Sequence, residues 1–313
     1  MSKALKIFFV FTIGIFISHN INADISRTVI YAIAKMSDDE DFHIYAIPTG
    51  KGKLIPLKIA SANSNYWMIS ISPDGSNLLY GLRQSKEVVG RISINEMLIY
   101  PIIISEKKTP WSAPGPTGWR SDQKRFLFQT PDYCSEDINE AILSDSLQIL
   151  DVRCLFSYKN AAFSAQYSPD ETKIIFVLFK DGIYGENAEI ALAPYQESKQ
   201  ISLSDVQFIT HDNIPDSSPH WTACGDKIRW IKNHNKFMEH HLKTSHIDTL
   251  TKISPYKADV FAPAPMNLRD HYFGVFFCNN SKTLAIVDAN GGIQRLNCDI
   301  FEIRDLQWGI IPK

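Results

Sequence analysis

The tract NHNKFMEHHLKTSH carries His234, His240, His241 and His246, the densest cluster of metal-capable side chains in the chain. Imidazoles converging from one face would hold a transition metal. Neighbours on a strand point to opposite faces, so His240 and His241 cannot both serve one ion there. The spacing therefore predicts a polar, exposed sheet edge, and neither a metal nor an organic cofactor is expected. A serine hydrolase would need its nucleophile on a sharp elbow of the form Gly-x-Ser-x-Gly, and the chain contains none. Asp74, Asp122 and Asp170 each follow a Ser or a Ser-Pro pair, where an aspartate caps a turn by accepting from backbone N–H groups two residues on. They read as turn-formers, not catalysts, and the chain reads as a non-enzyme.

Five cysteines are present, at 134, 154, 224, 278 and 298. No C-x-x-C pair suggests zinc. The local pairs Cys134/Cys154 and Cys278/Cys298 are within reach of disulfides, with buried thiols as the alternative. Cys224 is the expected free thiol, since the count is odd.

The elements that position these residues follow from a recurring hairpin. WMISISPDGSNLLYGL places Pro73, Asp74 and Gly75 between two apolar runs. Pro presets φ for the turn, Asp bonds its own backbone, and Gly takes the positive φ that closes it. GWRSDQKRFLFQT, QYSPDETKIIFVLF and HWTACGDKIRWIK repeat the unit, with Glu171 standing where Gly75 stood. Aligning Pro73, Ser121, Pro169 and Ala223 gives spacings of about 48, 48 and 54 residues. Two more strands follow each hairpin, as in TLAIVDANGGIQRL (283–296). Four strands at a period in the forties is the signature of a β-propeller blade.

The first segment after residue 24 supplies three strands and LQWGI (306–310) the missing innermost one. The expected fold is thus all-β: a six-bladed β-propeller of four-stranded antiparallel blades, closed by a blade shared between N- and C-terminal strands. Units start near Trp67, Trp119, Gln166, His220 and Ala258. The last is weakly marked, so five or seven blades stay open. Closure removes the free sheet edge that invites pairing with other chains.

Residues 1–23 read as a secretory signal peptide: Lys3 and Lys6, then the apolar run IFFVFTIGIFI, then small residues up to Ala23. The run is short for a membrane span, and no span-length apolar segment follows, so residues 24–313 are expected as one exported propeller domain. A net charge of −2 without a basic stripe gives no electrostatic case for nucleic acid.

The repeats ISPDGSNLLYG and YSPDETKIIFV resemble the WD-like propeller repeats of the TolB type. The resemblance covers nearly all of the chain after the signal segment. It implies a bacterial periplasmic location and a partner in the cell envelope, a protein or lipoprotein, with a glycan as the other class. TolB proteins also carry an N-terminal α/β domain, and none is expected here because strands begin almost at once. Only Ser72-Pro73-Asp74-Gly75 keeps the full turn motif, and it is structural in that family. Oligogalacturonate lyases share the repeat type and hold a metal with histidines. His211, His220 and His271, near strand beginnings, would be the residues for that alternative.

In a propeller, the loops entering the innermost strands converge on one end of the channel, a surface suited to ligands. Here they lie near NSNYW, PWSAPGPTGW, NIPDSSPHW and IRDLQW. Aromatics and Arg anchor interfaces, so Tyr66, Trp111 and Arg304 are the candidate partner-binding residues. Trp221 and Trp308, within inner strands, are expected to pack between blades.

Overall fold

A computed structural model describes residues 28–49, 57–59, 66–82, 89–94, 98–102, 115–129, 138–158, 162–180, 187–253, 257–278 and 280–311. They form six four-stranded antiparallel sheets. The first combines β1 (Thr28–Met36), β2 (His43–Pro48) and β3 (Leu57–Lys58) with the last strand of the chain, β24 (Ile300–Ile310). The second is β4 (Tyr66–Ile71), β5 (Asn77–Leu82), β6 (Val89–Ser93) and β7 (Leu98–Ile102). The third is β8 (Gly115–Trp119), β9 (Arg125–Gln129), β10 (Ile138–Leu143) and β11 (Ile149–Phe156). The fourth is β12 (Ala162–Tyr167), β13 (Lys173–Phe179), β14 (Ala188–Pro194) and β15 (Gln207–Phe208). The fifth is β16 (Asp216–Trp221), β17 (Lys227–Lys232), β18 (Lys236–His241) and β19 (His246–Lys252). The sixth is β20 (Val260–Pro263), β21 (Tyr272–Cys278), β22 (Thr283–Asp288) and β23 (Ile293–Leu296).

The strands β24, β4, β8, β12, β16 and β20 contact one another in turn around a ring, and each opens its own blade. This is the six-bladed propeller expected, and the weakly marked unit near Ala258 is a complete blade. The shared blade is also as expected: β24 pairs antiparallel with β1 from Thr28↔Ile310 to Met36↔Ile300. The Trp308 indole N–H locks the junction by donating to the Thr28 hydroxyl at 2.8 Å.

Middle strands are apolar on both faces because each blade is covered by a neighbour on either side; KIIFVLF in β13 is buried from Ile174 onward. Outer strands such as β19 and β23 are largely exposed. Trp221 and Trp308 are buried, as expected of inner-strand tryptophans.

The turns behave as their residues dictate. Asp74 accepts from the Ser72 hydroxyl at 2.6 Å and the Ser76 amide at 3.0 Å, and Asp170 repeats this with Ser168 and Thr172. Asp122 accepts from the Lys124 amide at 2.8 Å. The fourth turn position is left-handed in all four aligned units: φ is 76° at Gly75, 59° at Gln123, 57° at Glu171 and 71° at Gly225.

Inner strands also carry a register shift near their entry, as between Phe163 and Gln166 and between Ser217 and His220. The serines inside those two bulges, Ser164 and Ser218, sit at φ 55° and 54°. Nothing in the apolar pattern announces them.

Cys154 is disulfide-bonded, while Cys224, Cys278 and Cys298 are free, and Cys134 lies outside the described residues. The Cys278/Cys298 bridge is therefore corrected. Cys278 packs into the core between the fifth and sixth blades, and Cys298 against the core between the sixth and first. They lie on opposite faces of one blade, and burial raises each thiol to about 11.

Among the described residues no helix is long and apolar enough to cross a membrane. The expected signal segment, residues 1–23, lies outside them.

Candidate functional site

The inner strands end, one after another, at a cavity of about 530 Å³. All six blades line it: Ser70 and Ile71 from β4, Thr117–Trp119 from β8, Gln166 and Tyr167 from β12, Ala223 after β16, Pro263 with Ala264–Asn267 and Arg269 of the turn after β20, and Gln307–Gly309 from β24. Its size is within the range of small-ligand sites, about 300–1,000 Å³. It lies at the end where the inner strands exit into their first turns, opposite the end formed by the loops named from the sequence.

The ring is drawn tight by small residues where inner strands meet. A Cβ on Gly118 would stand 2.8 Å from the Ala165 carbonyl oxygen and 3.1 Å from the Gln166 Cα. That contact brings the β8 and β12 backbones together and sets the width of this side of the mouth.

The wall is aromatic and amide-rich. Trp119, Tyr167 and Trp308 supply rings, and Gln166, Asn267 and Gln307 supply donors and acceptors. Two of the rings are fixed from behind. Trp308 is tied to Thr28, and the Tyr167 hydroxyl donates at 2.6 Å to Glu140, a fully buried carboxylate on β10. Glu140 also accepts from the Tyr195 hydroxyl at 2.6 Å and from Arg153 Nε at 2.7 Å. Burial first, then the Glu140 charge, holds the Tyr167 hydroxyl protonated far above its ordinary range.

Arg269 is the one charged residue among those lining the cavity. Its Nε donates to the Ala264 carbonyl and its Nη1 to the Trp221 carbonyl, both at 2.9 Å. Its own carbonyl accepts from Arg229 Nη1 at 2.5 Å. Burial, and then the neighbouring Arg229 charge, push its pKa down to about 10. The guanidinium is thus held by carbonyl dipoles, and its charge stands over the cavity without a carboxylate partner in the lining. That lining contains no Asp, Glu, His or Cys, so the described wall offers no acid–base pair. It can bind: rings to stack on, amides to orient, one cation to favour an anionic group.

Of the residues named from sequence, Tyr66 and Arg304 sit elsewhere. Tyr66, expected at the surface, is buried at 4% exposure, edge-to-face on Tyr80 with ring centroids 5.4 Å apart. This corrects its reading as an exposed contact: the first residue of β4 turns into the core between the first two blades. Arg304 lies beside it, donating from Nη1 to the Tyr66 carbonyl at 3.2 Å while its guanidinium covers the Phe42 ring at 3.6 Å. Trp111 lies outside the described residues.

His220 is fully buried between the rings of Phe261 and Phe273, with Nδ1 3.2 Å from the Ser218 carbonyl. Burial, then the Arg269 charge, keeps it neutral far below its ordinary range. His211 and His271 are exposed. In the histidine tract, His234 and His246 are exposed as expected, but His240 is buried at 7%, which corrects the fully exposed edge. It lies on β18, one strand in from the edge strand β19. Among the described residues, the group of potential metal ligands that does converge contains no histidine: it is Glu189, Asp212 and Asp216.

Trp119, Tyr167 and Trp308 were legible as members of the repeat. Trp119 and Tyr167 each stand two residues before the aligned turn position, as Ile71 and Trp221 do. The repeat register therefore contained the ring that forms the mouth. Arg269 had no such signal, because it sits in the turn after β20, outside the four aligned repeats.

No family model and no curated protein sequence matches the chain. Solved structures do match in fold. A chain of a nidogen/laminin complex superposes with a TM-score of 0.64 at 9% identity, covering 91% of this chain and 100% of that one. A structure assigned to TolB from Agrobacterium tumefaciens gives 0.52 at 13%, covering 92% and 99%. The periplasmic gluconolactonase PpgL of Pseudomonas aeruginosa gives 0.53 at 9%, covering 91% and 100%. At these identities the likeness is one of fold: the chain is a β-propeller of the architecture that TolB and periplasmic gluconolactonases share.

Proposed function

We propose that this chain is an exported, non-catalytic binding propeller that holds a segment of a cell-envelope partner in the cavity where the inner strands end. The single observation that carries the reading is that wall: six blades converge on aromatic rings, amides and one guanidinium without a titrating acid–base pair in the lining. A rigid ring with a preformed mouth binds at low reorganisation cost. The periplasm fits the leader expected at residues 1–23 and the company of periplasmic propellers in fold space.

The test is affinity capture of a cross-linked envelope extract with tagged 24–313, run beside an Asn267→Trp variant. Asn267 is exposed on the cavity rim, so an indole there blocks the mouth without entering the core. One envelope protein retained by the parent and lost from the variant supports the reading. Equal capture by both, or turnover of a sugar lactone or an oligogalacturonate by the purified chain, contradicts it.

A further inference from the structure

At the other end of β16, opposite the cavity, three carboxylates meet at the joint between the fourth and fifth blades. Glu189 comes from the start of β14, Asp216 from the start of β16, and Asp212 from the link between β15 and β16. One oxygen of each lies within 4.8 Å of the others. Two ligands of one calcium ion stand at most about 4.8 Å apart, twice a bond of about 2.4 Å.

The second observation is independent of that clustering. Glu189 and Asp216 are 0% and 1% exposed, and one oxygen of each, Oε2 and Oδ2, is buried without a hydrogen-bond partner. Their other oxygens are satisfied. Glu189 Oε1 accepts from the Asn213 amide at 3.0 Å, and Asp216 Oδ1 from the Trp230 indole at 2.8 Å. Both side chains are thus oriented, and each keeps one bare oxygen. A buried carboxylate oxygen left unpaired is costly, and buried charges are paired or bind metals.

Charge points the same way. Among the described residues, Lys232, paired with Asp212, is the one cation bonded to the three carboxylates. With all three ionised, two negative charges remain uncompensated, which a divalent ion would neutralise. The donors are all oxygen, the preference of a hard cation.

We propose that Glu189, Asp212 and Asp216 form a site for a hard divalent cation of the calcium type, which clamps the joint between the fourth and fifth blades. With three protein carboxylates and the remaining positions left to water, the expected affinity is that of extracellular calcium modules, Kd of about 10⁻⁴–10⁻³ M.

The test uses tagged 24–313 stripped with EDTA and titrated with calcium chloride by calorimetry. Terbium luminescence excited through tryptophan is the second readout, since Trp230 bonds directly to Asp216. One calcium per chain is expected, with a Tm rise of about 1–3 °C in about 1 mM calcium over EDTA. Glu189→Gln keeps an acceptor for the Asn213 amide, and Asp212→Asn alters an exposed residue, so both fold; each should weaken binding at least about tenfold. No calcium heat with an unchanged Tm would overturn the site. So would calcium binding and terbium emission at parental strength in both variants.

Discussion

Glu171 Oε2 lies 2.5 Å from Nε of Arg120, in the preceding blade. The same carboxylate accepts from the Ser121 amide at 3.0 Å, and it does so from a residue held at φ 57°. One turn earlier, the Gln123 amide, oriented to donate, reaches Asp74 at 3.1 and 3.2 Å. At the next turn Gly225 stands bare, where a Cβ would meet Pro169 Cδ at 3.2 Å. In the third, fourth and fifth blades the left-handed turn position is therefore also the place where the blade touches the one before it.

This predicts an unusual order of stabilities at position 171. Ala keeps the strained φ and loses the stitch, whereas Gly loses the stitch and relieves the strain. Glu171→Ala should be less stable than Glu171→Gly by about 1 kcal/mol, the cost of a left-handed Cβ. Urea unfolding of the two variants measures it. An alanine variant as stable as the glycine one would show that the φ at 171 is not maintained.

Gly118→Ala should cost about 1–3 kcal/mol, the usual range for overpacking, because the obstacle is the Ala165 carbonyl, which is backbone and cannot rotate away. It should also narrow the mouth. Thermal unfolding checks the first effect. An unchanged Tm would mean that β8 and β12 can part without loss.

Asp305 gives a pH dependence with a definite sign. Burial raises its pKa to about 7, against the lowering effect of the Ile69 and Leu306 amides; Ile69 N–H donates to it at 2.7 Å. In the unfolded chain it titrates near about 3.9. The native state thus holds a proton that the unfolded state has lost, so this residue's contribution to stability falls as pH rises from about 4 to about 7 and is flat above. Asp305→Asn should remove that fall, and the Tm difference from the parent should grow in the variant's favour across the window. Parallel Tm curves from pH 4 to 8 would refute the assignment.

Deleting residues 304–313 removes most of β24, which pairs along the whole of β1. The first blade then loses its inner strand and the ring loses its closure. Cooperative unfolding should disappear, as read by circular dichroism during heating. A truncated chain that melts like the full one would refute closure through the shared blade.

The blades were legible because their turn chemistry is local: Pro73, Asp74 and Gly75, or Ser168 to Asp170, act on their own backbone. The partner of Glu171 is some fifty residues away, and no local rule specifies it. The same limit hid Glu140 behind Tyr167 and the Glu189–Asp216 pair, each built across a blade joint from residues that read singly as ordinary strand positions. Tyr66 misled for a related reason. Its place at a strand entry suggested exposure, but the register shift between Tyr66 and Ile69 turns it onto Tyr80. The cavity itself was not legible, because loop composition is visible in the sequence while a cavity made by strand ends is not.

The central claim is that the partner enters where the inner strands end. Photo-cross-linking in the native cell tests it most directly, with benzoyl-phenylalanine placed in turn at Asn267 on the cavity rim and at His211 in the loop entering β16, both exposed. The account predicts a discrete adduct from position 267 and none from 211. An adduct from 211 alone would place binding at the opposite end and contradict it.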